Sequence, residues 1–488
     1  MRFLIDTNIL IALEPVSAED IEPGMNNATH FVALCNANGH PVMRHPASKY
    51  DLQRDPDDSR RRNRHQLLYK YPELSQAPLI DDSLSERIGT PDIGSNDWVD
   101  NQLLAAVYYD AVSYLVTEDG GIHRRAARLD LADRVLTAAD AIILISTLCH
   151  QLPKPLPLVT FNPVHTIDAG DPILDSLRAD YAPGFDSWFS RVKCEGREAF
   201  IIRDNTDSCA ALCIVKPGDH EFSFGRNPLK VSTFKVADGY SGNRFGELLL
   251  KALFSYCNLN KFDSAWVTIF EKHEALISVL EQFGFLLTEH KTQKNELVLL
   301  KRFVPTPEAD SSLSPLAFHI RFGPPALKSP EKPMAIIPIK PEFHRMLFPE
   351  LESQQSIIGP GPFGNAIRKA YLSNAPIRTI TPGDVLLFYR SGDIRAVTTI
   401  GIAERVLVSK DPAEVNKFVG GRTVYSSEQV QDLTRREVVA ILFRQDRSLE
   451  EPISLQELVG AGVLRGAPQA ICRTSPEVQE WLLARIRP

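Results

Sequence analysis

The first residues of the chain place a charged side chain between a buried strand and a helix. Phe3 to Ile5 form a short apolar run typical of a core strand, and Ile9 to Leu13 begin an apolar helix directly after it. Asp6 therefore stands at the carboxyl end of the strand, where a bare buried charge would be too costly. It must cap the helix, pair with another charge or bind a cation.

Further carboxylates follow in the same kind of position. Asp97 and Asp100 are one turn apart on an apolar helix, and Asp119 ends an apolar run that begins at Ser113. We expect these acids at the carboxyl ends of neighbouring parallel strands, where open α/β sheets keep their sites. Several carboxylates in one place need a divalent cation, and Mg²⁺ or Mn²⁺ suits an all-oxygen ligand set.

The runs DTNIL from Asp6 and LVTED ending at Asp119 resemble the PIN-domain nuclease family over residues 1 to about 150. The resemblance implies metal-dependent hydrolysis of phosphodiester bonds, most often in RNA, with Asp6, Asp100 and Asp119 as metal ligands and Asp97 as a helper. Asp51, in a helix start that looks like a capping box, matches the family's second acid, which is usually Glu. A simple helix cap is the alternative for Asp51.

Three polar residues flank these acids, namely Thr7, Asn8 and Thr117. They could orient the ligands or the attacking water, and equally they could be ordinary hydrogen-bonding residues at strand ends.

Composition limits the class of protein. The chain has 488 residues, 43% apolar and 24% charged, which indicates about three soluble domains. The net charge of −7 argues against a generally basic surface, so any nucleic-acid contact must be local. One candidate is the run of 60–65, with Arg61 and Arg64, although a solvated helix face is the alternative.

The chain shows no sign of a membrane or of a secreted disulfide framework. Its seven cysteines have no metal-ligand spacing and indicate a reduced, cytoplasmic protein. No apolar run approaches the roughly 20 residues of a membrane span, and Asp6 inside the first apolar run argues against a signal peptide. Proline-rich segments at 151–157 and 304–315 predict linkers, which gives domains at 1–152, 158–303 and 316–488.

The middle domain contains a strand, a glycine-containing loop and a helix in succession. Leu229 to Val236 form the strand and Leu248 to Tyr256 the helix, an order that makes an anion site from backbone N–H groups. A strand at Asp263 to Phe270 and a helix at Glu274 to Phe285, ending in Gly-Phe, follow. This order resembles the GNAT acetyltransferase family.

The GNAT resemblance implies that the loop cradles the pyrophosphate of acetyl-CoA. The cradle would consist of Gly242, Asn243, Arg244, Phe245 and Gly246. The chain departs from the family at Ser241, at Arg244 where a glycine is usual, and at Leu280 where the family has a proton-donating tyrosine. Glu271 or His273 could act as a base, or each could be a solvated loop residue.

The last domain has short β segments and predicts a small, mostly β barrel. PGDVLLFYRS, around Val385 to Tyr389, and the later GIAERV resemble the PUA-like superfamily that includes ASCH and EVE modules. The resemblance implies recognition of RNA, with Tyr389 and Arg390 exposed to a base and Lys369 or Arg368 at a phosphate. Phe388 could stack on a base as well, or it could pack in the barrel core, which strand alternation favours for one residue of each neighbouring pair.

The sequence therefore predicts a multidomain α/β protein with a PIN-like parallel sheet, a GNAT-like mixed α/β domain and a PUA-like barrel. Its predicted function is a ribonuclease coupled to an acetyl-CoA-dependent N-acetyltransferase-like module and an RNA reader, compatible with a toxin-like or defence role. Two alternatives are an acetyltransferase that uses the PIN-like domain to recruit RNA, and a non-catalytic sensor of CoA and RNA. The expected partners are RNA such as tRNA and CoA, and a homodimer stays open.

Overall fold

The computed structural model describes residues 1–13, 25–54, 61, 68–149, 158–204, 206–237, 240, 244–305, 312–328, 332–351, 366–375, 377 and 379–486. The chain divides into two compact units. The first is Met1–Gln151 with Asn416–Gly421, and the second combines Leu152–Tyr240, Arg244–Val415 and Arg422–Pro488. The division into three domains stays a prediction.

The first unit is built on a small parallel sheet. Its strands run in the order β2-β1-β3-β4, and each neighbouring pair is parallel. They are β1 (Phe3–Ile5), β2 (Val42–Arg44), β3 (Tyr114–Val116) and β4 (Val135–Leu136). The predicted parallel α/β sheet is confirmed.

Helices cover both faces of this sheet. Alternate residues of a strand point to opposite faces, so Phe3 and Ile5 enter one apolar core while Leu4 enters the other. Among the described residues, the main helices of the first unit are α1 (Thr7–Leu13), α2 (Met25–Ala37), α3 (Ser48–Gln53), α4 (Asp82–Ile88), α5 (Asn96–Tyr108), α6 (Gly120–Arg128) and α7 (Ala138–Cys149).

A mixed seven-stranded sheet opens the second unit, and its strand order is β10-β11-β9-β8-β7-β6-β5. Only β8 and β9 are parallel to each other among the neighbouring pairs. The strands are β5 (Val159–Pro163), β6 (Glu198–Arg203), β7 (Cys209–Pro217), β8 (Pro228–Val236), β9 (Ser264–Ile269), β10 (Leu286–Lys291) and β11 (Leu297–Arg302). Its helices are α8 (Asp175–Asp180), α9 (Phe185–Cys194), α10 (Phe245–Leu259) and α11 (Glu274–Gln282).

The Gly-Phe pair after α11 has a clear structural reason. Gly284 has a φ of +86°, and a Cβ built there would lie 1.9 Å from the carbonyl oxygen of Ile320 and 2.8 Å from Nζ of Lys301. Both the backbone conformation and the close approach therefore require glycine.

A six-stranded sheet completes the second unit in the order β13-β16-β15-β14-β12-β17. The strands are β12 (Ala335–Ile339), β13 (Arg368–Ser373), β14 (Val385–Arg390), β15 (Ala396–Ser409), β16 (Val438–Ser454) and β17 (Cys472–Arg473). Its edge strands β13 and β17 do not pair with each other in the described residues, so the closure of the predicted barrel is not seen. The helices of this part are α12 (Pro315–Phe322), α13 (Pro341–Leu347), α14 (Pro412–Val419), α15 (Ser427–Thr434), α16 (Leu455–Gly460) and α17 (Gln479–Ile486).

The prediction of an exposed RNA platform on this sheet is wrong. Tyr389 and Lys369 are fully buried, and Arg390 is buried with its guanidinium bonded to Asp393 at 2.6 Å. Apolar cores lie on both faces of β14, because Phe388 belongs to one and Tyr389 to the other. The predicted core position of Phe388 is confirmed.

No helix in the described ranges is long and apolar enough to cross a bilayer.

Candidate active site

Four aspartates lie at the carboxyl edge of the parallel sheet in the first unit. Asp6 follows β1, Asp51 lies on α3 after β2, Asp119 stands between β3 and α6, and Asp100 lies on α5. The carboxylates are close enough that Asp6, Asp51 and Asp119 each raise the pKa of Asp100. The structure thus brings the acids predicted from the PIN resemblance to one place, although they come from four different elements.

Two threonines hold Asp6 in position. The backbone N–H of Thr7 donates to Oδ1 of Asp6 at 2.6 Å, and the hydroxyl of Thr117 donates to Oδ2 at 2.6 Å. The hydroxyl of Thr7 also donates to Asp51 at 2.9 Å, and Asn8 donates its Nδ2 to the Thr117 hydroxyl at 3.1 Å. These residues therefore orient the acids, which is one of the two roles that the sequence predicted for them.

Burial and mutual repulsion disfavour the ionised form of the carboxylates in this cluster. Burial raises the pKa of Asp6 to about 6, against the hydrogen bonds from Thr117 and Thr7, and Asp51 and Asp119 add to the rise. Burial likewise raises the pKa of Asp100 to about 7, although the guanidinium of Arg125 opposes the shift. Additional positive charge at this edge would stabilise the ionised carboxylates.

Two arginine side chains, Arg125 and Arg54, lie within salt-bridge distance of the acids. Nη2 of Arg125 lies 2.5 Å from Oδ2 of Asp100 and 3.3 Å from Oδ1 of Asp97. Nη1 of Arg54 lies 3.0 Å from Oδ1 of Asp51. Because the Asp97 side chain is 73% exposed and that of Asp100 only 17%, Asp97 lies at the rim of the cluster.

Helix capping explains one of the acids and not another. Asp119 caps α6, since its Oδ1 accepts the N–H of Ile122 at 3.0 Å. The capping box expected around Ser48 and Asp51 is absent, because the N-cap of α3 is Ala47 and no side chain caps this helix. Asp51 bonds Thr7 and Arg54 instead.

The donors suit a hard divalent cation in kind and in charge, because all are carboxylates at one edge of the sheet, where Asp6 is buried and Asp51 and Asp100 are partly buried. As the side chains stand, the described residues contain no group of three or more His, Cys, Asp or Glu arranged to hold a metal ion. Asp100 and Asp51 are turned towards Arg125 and Arg54. A cation at this edge would therefore have to compete with both guanidiniums.

The basic run beside the acids is only partly described. Arg61 is partly exposed, and Arg64 lies outside the described residues. Contact of this run with a phosphate backbone stays a prediction.

A second candidate site lies where β8 and β9 separate. Pro228 to Val231 pair with Ser264 to Val267, and beyond Val231 the two parallel strands no longer pair with each other. β8 nevertheless continues to Val236 and β9 to Ile269. The carboxyl ends of the two strands therefore present backbone groups to a gap within the sheet, and an extended ligand could pair with such groups.

The predicted CoA cradle lies at this same edge in part. Arg244 precedes α10 with a left-handed φ of 56°, and Phe245 and Gly246 begin the helix. A Cβ on Gly246 would meet Phe234 and Val236 of β8 at 3.7 and 3.8 Å. Gly242 and Asn243 lie outside the described residues, and their role stays a prediction.

The region after β9 contains a pairing that the sequence did not suggest. Nε2 of His273 lies 2.8 Å from Oδ2 of Asp180, a residue at the end of α8. His273 was one of two candidate bases, whereas Asp180 had no motif or spacing to mark it. Leu280, the departure from the family's proton-donating tyrosine, is buried in the core.

Comparisons with known proteins give similarity to solved structures alone. No protein-family model matches the chain, and no curated protein matches it. A mutant of the ASCH protein from Zymomonas mobilis is 17% identical and covers 32% of this chain and 97% of its own, with a TM-score of 0.26. A GNAT family acetyltransferase from Elizabethkingia anophelis with acetyl-CoA bound is 15% identical and covers 30% of this chain and 97% of its own, with a TM-score of 0.22.

Proposed function

We propose that the first unit hydrolyses phosphodiester bonds in RNA with the help of Mg²⁺ or Mn²⁺. The observation that carries the proposal is the set of four aspartates at the carboxyl edge of a parallel sheet, with the pKa of Asp6 raised to about 6 and that of Asp100 to about 7. Protein sites that only need to hold a cation use carboxylates in this way.

Each residue has a separate task in this proposal. Asp6, Asp100 and Asp119 would hold the ion, with Asp51 and Asp97 beside them. Such an ion supplies an activated water and stabilises the leaving oxygen. Thr7 and Thr117 fix both oxygens of Asp6, so this carboxylate keeps its direction.

The test combines RNA cleavage with direct metal binding. Purified full-length protein is incubated with total RNA in Mn²⁺ or in EDTA, and Mn²⁺ binding is measured by calorimetry. Asp6→Asn and Asp119→Asn should lose cleavage and bind Mn²⁺ more weakly, because each removes one charged ligand. Asp82→Asn, in the exposed start of α4, is the matched control and should change neither quantity.

Undiminished cleavage by both variants would exclude the acidic edge as the active site. Cleavage that persists in EDTA would exclude the metal-dependent reaction. Circular dichroism of each variant separates lost chemistry from lost folding.

A second activity, acyl transfer from acetyl-CoA, is proposed for the second unit. The separation of β8 from β9 supports it, because the unpaired strand ends and the start of α10 meet at one edge of the sheet. Backbone N–H groups at a helix start favour a phosphate group, whereas the guanidinium of Arg244 already lies 3.8 Å from the carboxylate of Glu247. If CoA binds but no acetyl group is transferred, the second unit acts as a sensor.

Calorimetry with CoA tests this second proposal. Gly246→Asp should abolish binding, because it adds a side chain and a negative charge at the start of α10. Gly466→Asp is the matched control, since a Cβ at this exposed glycine meets nothing within 4 Å. No binding of CoA to the unmodified protein would refute the proposal.

A further inference from the structure

A histidine and an aspartate meet at the carboxyl end of β9. His273 is the N-cap residue of α11, and its Nε2 lies 2.8 Å from Oδ2 of Asp180. Oδ1 of Asp180 accepts from Nζ of Lys272 at 2.5 Å. The Asp180 side chain is 10% exposed and that of His273 is 41% exposed, so the carboxylate is set behind an accessible imidazole.

This arrangement defines which nitrogen of His273 can react. Burial raises the pKa of Asp180, but the hydrogen bonds from Lys272 and His273 outweigh it and the pKa is lowered overall. When the imidazole is neutral and carries its hydrogen on Nε2, ionised Asp180 accepts a hydrogen bond from Nε2–H, and the lone pair of the ring is on Nδ1. A carboxylate that fixes one tautomer in this way prepares a histidine to accept a proton.

Asp180 is itself held in place by its neighbour. The hydroxyl of Tyr181 donates to Oε1 of the buried Glu296 at 2.5 Å, and the Tyr181 ring lies 5.2 Å from that of Phe270. The hydroxyl of Thr292 donates to the other oxygen of Glu296 at 2.9 Å. Contacts with Phe270, directly after β9, and with the β10–β11 turn thus hold the end of α8.

The pair also lies at the edge where β8 and β9 separate. Both strands are parallel, so α10 after β8 and α11 after β9 begin at the same edge of the sheet. His273 stands at the start of the second helix. An imidazole at this edge would lie beside a ligand bound between the two strand ends.

We propose that His273, positioned by Asp180, is the base that accepts the proton of an amine acceptor during acyl transfer in the second unit. This inference rests on the proposed binding of acetyl-CoA. An amine acceptor needs such a base, because its nitrogen loses a proton as the amide forms.

The proposed step balances without a further reactant. The amine nitrogen attacks the thioester carbonyl carbon, so that a C–N bond forms and the C–S bond breaks as the intermediate collapses. Nδ1 of His273 takes the proton of the amine. The CoA thiolate leaves with the electron pair of the C–S bond, and the proton on His273 is then available to it.

The first test is chemical labelling of His273 in the full-length protein. Diethyl pyrocarbonate modifies neutral imidazoles, and mass spectrometry measures the modification of each histidine with and without CoA. We expect CoA to protect His273 and to leave the exposed His220 unchanged. CoA that binds by calorimetry without protecting His273 would overturn the inference, whereas CoA that does not bind refutes the acyl-CoA proposal instead.

The second test measures thiol release from acetyl-CoA with spermidine and with hydroxylamine as amine acceptors. His273→Gln should lower kcat by about 100-fold to 10,000-fold with little change in the KM for acetyl-CoA, and added imidazole should restore part of the rate. Asp180→Asn should shift the pH profile of kcat, because the tautomer of His273 is no longer fixed. Equal kcat and pH profiles for the unmodified protein and both variants would refute the role of His273. No thiol release from any of the three proteins would instead refute acyl transfer, on which this role rests.

Lys272→Ala is the matched control for a merely structural ion pair. It removes one partner of Asp180 and leaves the imidazole, so kcat should stay within about twofold if the pair serves His273. A loss as large as that of His273→Gln would mean that Asp180 only fastens α8 to the end of β9. Melting curves of all three variants identify any that fail to fold.

Discussion

Two regions of the molecule bury carboxylates in opposite ways. At the acidic edge of the first unit, Asp6 faces other acids, and burial together with their charges raises its pKa to about 6. In the six-stranded sheet of the second unit, burial would raise the pKa of Glu404 as well, but Arg368 and Arg444 lower it to about 2. Their guanidiniums lie 2.8 and 3.2 Å from the two oxygens of Glu404.

Glu404 is a charge with a structural role, whereas Asp6 is a charge that a bound ligand could compensate. Glu404 has its counter-ions within the fold, so its charge needs nothing further. Asp6 has hydrogen bonds but no cation among its described contacts, so a bound cation would complete its surroundings. The direction of the pKa shift, rather than the depth of burial, distinguishes the two.

The largest expected effect on stability is at Glu404, the carboxylate that is paired with two arginines. Glu404→Gln should lower the free energy of unfolding by about 3–5 kcal/mol, because it removes the carboxylate that lies between two buried guanidiniums. Urea unfolding of the full chain measures the loss. The control Glu451→Gln, whose side chain is 86% exposed, should change stability by less than about 1 kcal/mol. A loss of less than about 1 kcal/mol at Glu404 would mean that its pairing with the two arginines is not a structural charge pair.

The two units should respond to pH with opposite signs. The pKa of Asp6 rises from 3.8 to about 6, so its contribution to stability is lost as the pH rises through 6. The pKa of the buried His344 falls from 6.5 to about 4, mainly by burial, so its contribution is lost as the pH falls from 6.5 through 4. Each difference corresponds to about 3 kcal/mol.

Hydrogen exchange resolves the two responses within one sample. As the pH rises from 4.5 to 6.5, and after correction for intrinsic exchange, amides of β1 and β3 should lose protection from exchange. Amides of α13 and β14 should gain protection over the same range. Changes of the same sign in both units would contradict the assignment of these charges.

A smaller effect is expected at the hydroxyl that joins the acids. Thr117→Val removes the donor to Asp6 and the acceptor for Asn8, so the first unit should lose about 1–3 kcal/mol. Mn²⁺ affinity should fall by about 10-fold to 100-fold, as for other residues that orient metal ligands. Thr117→Ser keeps the hydroxyl and should preserve most of both quantities.

The smallest effect is expected at the rim of the acidic edge. Asp97→Asn should change the free energy of unfolding by less than about 1 kcal/mol, since its exposed pairing with Arg125 at 3.3 Å is screened by water. Thermal melting measures it. A loss above about 2 kcal/mol would place Asp97 with the structural charges.

Much of the fold could be predicted because apolar runs mark strands that are buried. Phe3 to Ile5, Ala335 to Ile339 and Val385 to Tyr389 lie in strands, as expected. The acids at strand ends could also be predicted, since a polar residue directly after a buried strand has few structural explanations.

Other features of the site could not be read from the sequence. The exposure of Tyr389 was mispredicted because alternation distinguishes two faces only when one faces water, and both faces of β14 are covered. The pairing of Asp180 with His273 joins residues 93 positions apart, a distance at which spacing carries no signal. Arg125 follows Asp119 by six positions in the sequence, but only the packing of α5 and α6 shows that it contacts Asp100.

During synthesis, β13 emerges well before the strand with which it pairs. In the described residues it pairs with β16 alone, and β16 begins at Val438, well after β13 ends at Ser373. A growing chain must therefore hold this strand with both edges open until β16 emerges. We expect chains that stop short of β16 to associate through β13, because an unpaired strand is a template for another.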